Sequence, residues 1–291
     1  MGIQPSRGLP ELRVRHLGSR IRRPVSRERR AALANALTPS GGLPPEGPSK
    51  FEARVLPGGE ALAEEAARQF EAAARAAIES SGAFRVALSG GSTPRTVHAR
   101  LARAPYRRGI DWGRVHFFFG DERCVPPDSD RSNYRMAKET LFEPLGIRAG
   151  RVFRMKGEAP PKEAAAEYGH VLEGELAGVR GRPAFDFVFL GLGMDGHTAS
   201  LFPGTRALEE KNQPVSANWV ATLREWRLTA TYPLLNAARR VVFLVVGAEK
   251  RDPATTILKR LPGWRDLPAA RVRPRRGTAL WLLDEEAGGG L

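Results

Sequence analysis

FDFVFLGLGMDGHTASLFPG, residues 185–204, joins an apolar run to a turn rich in glycine and polar residues. Phe185, Phe187, Val188, Phe189 and Leu190 are nearly continuous and aromatic or branched. That composition suits a strand buried on both faces, as in a parallel sheet covered by helices. Gly191, Gly193 and Gly196 then let the backbone turn sharply and approach something small. Asp195 and His197 sit inside that turn, two residues apart. In open α/β sheets ligands lie beyond the carboxyl ends of the strands, so this strand end is a candidate active-site edge.

The same layout recurs on either side. Residues 84–88 (FRVAL) predict a short buried strand, followed at once by SGGSTP at 89–94 and a helical stretch from 95 to 103. Strand, small-residue loop and helix in that order place free backbone N–H groups and a helix N-terminus at one spot, an arrangement suited to phosphate. A plain tight turn has the same composition. Pro94 fits a first helical turn, and no Gly-Lys-Ser/Thr follows, so this is not a Walker A loop. Residues 115–119 (VHFFF) predict another buried strand, ending in GDER at 120–123. Residues 241–246 (VVFLVV) predict a third, followed by GAEK at 247–250, and residues 279–283 a last one. Residues 216–222 and the threonine-rich start of 227–239 also predict strands.

Helices are expected over 60–80, where Leu62, Ala66, Phe70, Ala73, Ala77 and Ile78 make one apolar face before Gly82. Further helices are expected after Ser132, which is placed as a cap, to Phe142, and over 162–178. Alternating strands and helices predict a three-layer α/β/α fold, Rossmann-like, with a mainly parallel central sheet. Gly191-x-Gly193-x-x-Gly196 matches the dinucleotide fingerprint literally. The match is false: Asp195 would face a pyrophosphate, and Pro203 cuts short the helix the motif should open.

The chain has 291 residues and a formal net charge of +14. Half of that excess lies in residues 1–50, which hold clustered arginines and the run TPSGGLPPEGPS but no sustained helical or strand period. These residues are read as a disordered basic arm and linker, with residues 51–291 as a single domain. An over-extended reading frame, a nucleic-acid or membrane-surface arm and a targeting peptide are the competing accounts of the arm. The charge left in the domain suits a site for an anionic metabolite and is weak evidence for nucleic acid. No apolar run reaches the roughly 20 residues of a membrane span. One cysteine, Cys124, rules out an intrachain disulfide and fits a reducing, cytoplasmic compartment.

Four strand ends carry polar sets: SGGSTP, GDER, GLGMDGHT and GAEK. Gly90, Gly91, Ser92 and Thr93, with Asp121, Arg123, Arg227 and Lys250, are the candidate substrate and phosphate binders, since arginine forks match phosphate oxygens and lysine adds a point charge. Each base taken singly also reads as a solvated surface charge. His197 is the candidate general base. Asp195 is its partner, orienting it or sharing in proton transfer, or else bonds only its own turn. His16, His98, His116 and His170 have no comparable setting, and no group of residues has zinc-ligand spacing.

On these motifs the chain resembles the family of 6-phosphogluconolactonases and glucosamine-6-phosphate deaminases, of the phosphosugar isomerase type. ALSGGSTP at 87–94, GDERCVPPDSDRSNYRMAKETL at 120–141, GLGMDGHTASLFPG at 191–204, RLTATYPLLNAAR at 227–239 and GAEK at 247–250 carry the resemblance, which runs from about 51 to 283. The deaminase branch typically has Ile-Ala-Phe-Asn-Glu-Pro after its DGH and Tyr after Asp-Glu. Here Thr198-Ala199-Ser200-Leu201-Phe202-Pro203 and Arg123 select the lactonase branch. Arg251 departs from the family's small residue after the lysine, which bears on the phosphate end. The resemblance implies hydrolysis of 6-phospho-D-glucono-1,5-lactone with no metal or organic cofactor, His197 activating water and Arg123 or backbone N–H groups steadying the oxyanion. The alternatives are a deaminase-type isomerase and a non-catalytic sugar-phosphate sensor.

Overall fold

A computed structural model describes residues 13–16, 50–176 and 183–291. Seven strands form one sheet in the order β1-β2-β10-β9-β6-β3-β4. They are β1 (Arg13–His16), β2 (Lys50–Leu56), β3 (Phe84–Leu88), β4 (Val115–Phe119), β6 (Phe187–Gly191), β9 (Arg240–Val245) and β10 (Thr278–Asp284). All six neighbouring pairs run parallel. The α/β architecture with a parallel sheet is the one expected. Two features were not. β1 falls inside the stretch read as an arm without strand character, and β2 precedes the first expected element. The remainder of the expected arm, like the end of the helix expected to reach residue 178, lies outside the described residues.

Each inner strand buries both faces, which is why its sequence is a continuous apolar run rather than an alternating one. On β6, Phe187 and Phe189 enter one core while Val188 and Leu190 enter the other. Helix α1 (Gly59–Ser81) and helix α2 (Ser92–Leu101) belong to the first core. Phe70 of α1 packs edge-on against Phe84 with ring centroids 5.1 Å apart. Burying a phenylalanine of this kind is worth about 1.5–3 kcal/mol. The helix ends at Gly82, whose φ of 76° is left-handed and whose N–H returns to the Ile78 carbonyl; glycine takes that conformation at no steric cost.

The other face holds helix α4 (Pro161–Leu176), helix α5 (Arg251–Lys259) and a second sheet. That sheet has three antiparallel strands in the order β5-β8-β7: β5 (Asp121–Arg123), β8 (Glu225–Ala230) and β7 (Val215–Val220). The segments at 216–222 and 227 onward are therefore strands, as expected, but they belong to this separate sheet. The chain passes between the sheets at Gly120, whose N–H donates to Leu88 of β3 and whose carbonyl accepts from Ala230 of β8. Helix α3 (Asn133–Ala137) continues through a π-helical turn, Lys138–Phe142, into Glu143–Leu145. Ser132 caps it, its hydroxyl accepting from the Arg135 N–H. No helix among the described residues is long and apolar enough to cross a membrane.

Candidate active site

Strands β9, β6, β3 and β4 are consecutive neighbours, so all four polar strand ends meet at one sheet edge. The chain steps from β3 to β4 on one side and to β6 on the other, making the β3/β6 boundary the point where strand order reverses. A crevice opens there in folds of this type. It is a cleft of about 380 Å³ lined by Gly90, Gly91, Ser92, Thr93, Asp121, Arg123, His197, Arg227 and Lys250. Every candidate named from the sequence thus shares one cleft except Asp195, which stands behind His197. Asn133, Ser200, Phe202 and Leu223 also line it, and none of these four is among the candidate site residues named from the sequence.

The anion end is built from a helix terminus and three bases. Gly91 precedes α2 with φ 104°, and no side chain caps the helix. Its first N–H groups therefore stay available to a ligand. Ser89 anchors the loop through a 2.7 Å hydrogen bond to the Phe189 carbonyl. Arg123 and Arg227 are direct cross-strand partners on β5 and β8. Like charges so placed repel, and the Nε of each is buried without a hydrogen-bond partner. An anion bound in the cleft beside them offsets the repulsion. Arg227 pairs with Glu225, which also holds Arg131, and Arg123 donates 2.6 Å to the Arg131 carbonyl. Lys250 sits on the turn after β9, where the Gly247 N–H is held at 3.1 Å by Asp284 of β10. Arg251 turns to the C-terminal segment instead, its Nε donating 2.8 Å to the Glu286 carbonyl. It does not line the cleft.

The reactive end is the loop after β6. Gly193 N–H donates to the His197 carbonyl at 2.9 Å, Gly196 N–H to the Gly193 carbonyl at 3.0 Å, and Ala269 N–H to the Gly196 carbonyl at 2.9 Å. Thr198 Oγ1 ties the loop back to Gly191 at 2.7 Å. Asp195 Oδ1 accepts the His197 backbone N–H at 3.1 Å and lies 2.6 Å from its ring Nδ1. Asp195 therefore contacts both its own turn and the imidazole ring. Burial works against its charge, but the His197 ring and backbone N–H outweigh it and hold the carboxyl below its ordinary range. A proton on Nδ1 shared with Asp195 leaves Nε2 as the basic nitrogen, and Nε2 has no hydrogen-bond partner among the described residues. Phe202 stacks on the ring, centroids 4.0 Å apart and 24° between planes. A Cβ on Gly193 would lie 2.1 Å from Nδ1, so only glycine fits beneath the imidazole.

A buried carboxylate links the two ends. Asp121 Oδ2 accepts from Ser200 Oγ at 2.7 Å, and Asn133 Nδ2 donates to the Asp121 carbonyl at 2.9 Å and to Oδ1 at 3.3 Å. The neighbouring Glu122 accepts the Asn133 and Tyr134 N–H groups at 2.7 and 2.8 Å, fixing the start of α3. Asn133 was overlooked because Ser-Asn ahead of a helix reads as a cap; the adjacent acids at Asp121 and Glu122 were the available signal. Cys124 lies close by, but burial pushes its thiol up to about 11, which keeps it from being a thiolate nucleophile. No group of three His, Cys, Asp or Glu among the described residues is arranged to hold a metal ion.

The comparisons with known proteins agree on one family. The family model described as glucosamine-6-phosphate isomerases/6-phosphogluconolactonase matches residues 57–281. A 6-phosphogluconolactonase from Haemophilus influenzae is 36% identical over 206 residues, covering 69% of this chain and 85% of its own length. One from Treponema pallidum is 40% identical over 172 residues, covering 59% and 71%. The crystal structure of 6-phosphogluconolactonase from Thermotoga maritima matches with a TM-score of 0.69 and 31% identity, covering 81% of this chain and 100% of that one. The chain belongs to the glucosamine-6-phosphate isomerase/6-phosphogluconolactonase family.

Proposed function

We propose that this protein hydrolyses 6-phospho-D-glucono-1,5-lactone to 6-phosphogluconate, the lactone-opening step of the oxidative pentose phosphate pathway. The observation that carries the reading is His197, held by Asp195 through Nδ1 and with no partner on Nε2 among the described residues, in the same cleft as an uncapped helix terminus and the bases Arg123, Arg227 and Lys250. The lactonase names of the relatives add weight.

The substrate's phosphate docks against the SGGSTP loop, Arg227 and Lys250, which fixes the ring. His197 Nε2 takes a proton from water as its oxygen attacks the lactone carbonyl carbon. The oxyanion that forms is steadied by Arg123 and by backbone N–H groups of the cleft. The intermediate collapses by breaking the bond from the carbonyl carbon to the ring oxygen. The imidazolium returns its proton to that oxygen, which leaves as the 5-hydroxyl, and Asp195 holds the ring in one orientation throughout. One water is consumed, and the acid formed ionises.

The test is lactone disappearance above spontaneous hydrolysis, with the lactone generated in place by oxidising glucose 6-phosphate. Acceleration by the wild type that vanishes in His197→Ala is the expected result. Ammonia release from glucosamine 6-phosphate in a parallel assay would assign the chain to the deaminase branch, and silence in both would refute catalysis on either substrate.

A further inference from the structure

We propose that the strap from Lys259 to Arg276 is a docking face for an extended acidic segment of another protein, one with carboxylates at alternate positions. This face lies outside the catalytic cleft, and the inference does not depend on the lactonase reading.

Residues 259–276, KRLPGWRDLPAARVRPRR, hold seven basic side chains and one acid. They account for most of the positive charge that the chain carries beyond residue 50, yet none of them lines the cleft. Among the described residues only Arg271 of the seven makes an ion pair, with Glu209 at 3.7 Å. Three of the others crowd one ring. The guanidinium groups of Arg273, Arg265 and Arg260 lie 4.6, 4.8 and 5.6 Å from the centre of Trp264. The aromatic face attracts each cation, but the three still repel one another. Arg273 is half-buried, and burial together with Arg260 and Arg265 holds its pKa below the ordinary arginine range. A carboxylate brought to this cluster from outside would relieve that cost.

The strap is braced and periodic. Asn236 alone holds three alternate residues: its Nδ2 donates to the Arg271 carbonyl at 3.1 Å, its Oδ1 accepts from the Arg273 N–H, and its carbonyl accepts from the Arg275 N–H at 2.9 Å. Val272 is extended and fully buried, and Pro274 is buried, while Arg271 and Arg275 are exposed. Apolar residues thus face inward and arginines outward in alternation, with arginines about 6.5 Å apart along an extended chain. The side chains of an extended peptide share that repeat, so carboxylates two residues apart match arginines two residues apart. Bracing before binding lowers the ordering cost. Other polyanions fit less well. Single-stranded nucleic acid stacks its bases on open aromatic faces, and the ring of Trp264 is already engaged by guanidinium groups. An anionic bilayer calls for large apolar side chains beside the bases, and Leu261 is the one exposed in this stretch.

The test is fluorescence polarisation with the full chain and a labelled peptide of alternating Glu and Ser at low ionic strength. An oligouridine of equal length and phosphatidylserine/phosphatidylcholine vesicles are the other arms. The wild type should bind the peptide, and more weakly as salt rises. Exposed ion pairs are individually weak, so the main variant reverses two charges: Arg265→Glu with Arg275→Glu should weaken binding at least about tenfold. Arg107→Glu with Arg108→Glu makes the same change in net charge at exposed positions elsewhere, and should change binding less than about twofold. Circular dichroism spectra of both variants should match the wild type. If the first variant does not fold, Arg275→Ala alone carries the test, with a loss of about two- to threefold. Absence of peptide binding, an equal loss in the control variant, or tighter binding of the oligouridine or the vesicles would overturn the inference.

Discussion

The parallel sheet and the small antiparallel sheet supply the cleft in different ways. The parallel sheet delivers backbone: glycine turns, a helix terminus and a braced loop, with His197 as its main reactive side chain. The small sheet delivers charge, with Asp121 and Arg123 on β5 and Arg227 on β8. Three of the four strand ends need glycine for close approach or turning, whereas the small sheet works by cross-strand register. Variants of the histidine loop should strike turnover, and variants of Arg227 on the small sheet should strike affinity.

The largest effect is expected at His197. Its replacement by Ala should lower kcat by about 10³-fold, within the usual range for a general base, while KM stays within a few-fold. A steady-state comparison that found KM alone changed would move His197 from chemistry to recognition. Gly193→Ala comes next. The backbone there is not left-handed, so alanine is conformationally acceptable, but its Cβ would meet the imidazole at 2.1 Å. A displacement on the order of 1 Å at a reacting group costs about 10²-fold, so kcat should fall by that order with the circular dichroism spectrum unchanged. Unchanged kcat would show that the ring's place is not critical.

On the small sheet, Arg227→Met should raise KM by about 10- to 100-fold, the value of a charge-assisted hydrogen bond, with a smaller effect on kcat. It also removes a cross-strand repulsion with Arg123. Lys250→Met, on the turn after β9 of the parallel sheet, should also raise KM, by a smaller factor, since a point charge gives up less geometry than a fork. KM values for both variants against the lactone would decide it. A loss confined to kcat would erase the distinction between the two sheets.

Much of the parallel sheet was legible because its strands are continuous apolar runs that end in glycine. FRVAL and VHFFF fall on β3 and β4 residue for residue, and the meeting of four polar strand ends followed from parallel pairing alone. The small sheet was not legible as a separate unit. Its β5 is only Asp-Glu-Arg, with no apolar period to announce it, and the pairing of Arg123 with Arg227 is a matter of register across 104 positions of chain. Asn133 and Ser200 were missed for a related reason: an amide at a helix start and a serine in a turn read as local capping until the fold brings Asp121 between them. β2 was missed because KFEARVL mixes charge with its apolar residues, as fits a strand nearer the sheet edge.

Acid should separate the two regions with opposite signs, though more gently than the substitutions do. His98 lies in the last turn of α2, the helix that follows the phosphate loop, fully buried, its Nδ1 3.5 Å from Thr140 Oγ1 and its Nε2 without a partner among the described residues. Burial, with Arg95 nearby, lowers it to about 3. The unfolded chain takes up this proton near pH 6.5 and the folded chain does not, so stability falls as pH drops from about 6.5 toward 3. The slope approaches about 1.4 kcal/mol per pH unit, or about 2 kcal/mol by pH 5. Glu122, in β5 of the small sheet, runs the other way. Burial raises its carboxyl despite three backbone N–H donors, so protonation favours the folded form there. Between about pH 6.5 and 5, His98→Leu removes the His98 contribution alone and leaves that of Glu122 in place. Denaturant unfolding across that interval should show stability falling in the wild type and a flatter profile in His98→Leu, whatever that variant's absolute stability. Parallel slopes in the two proteins would mean that the acid-sensitive group is not His98.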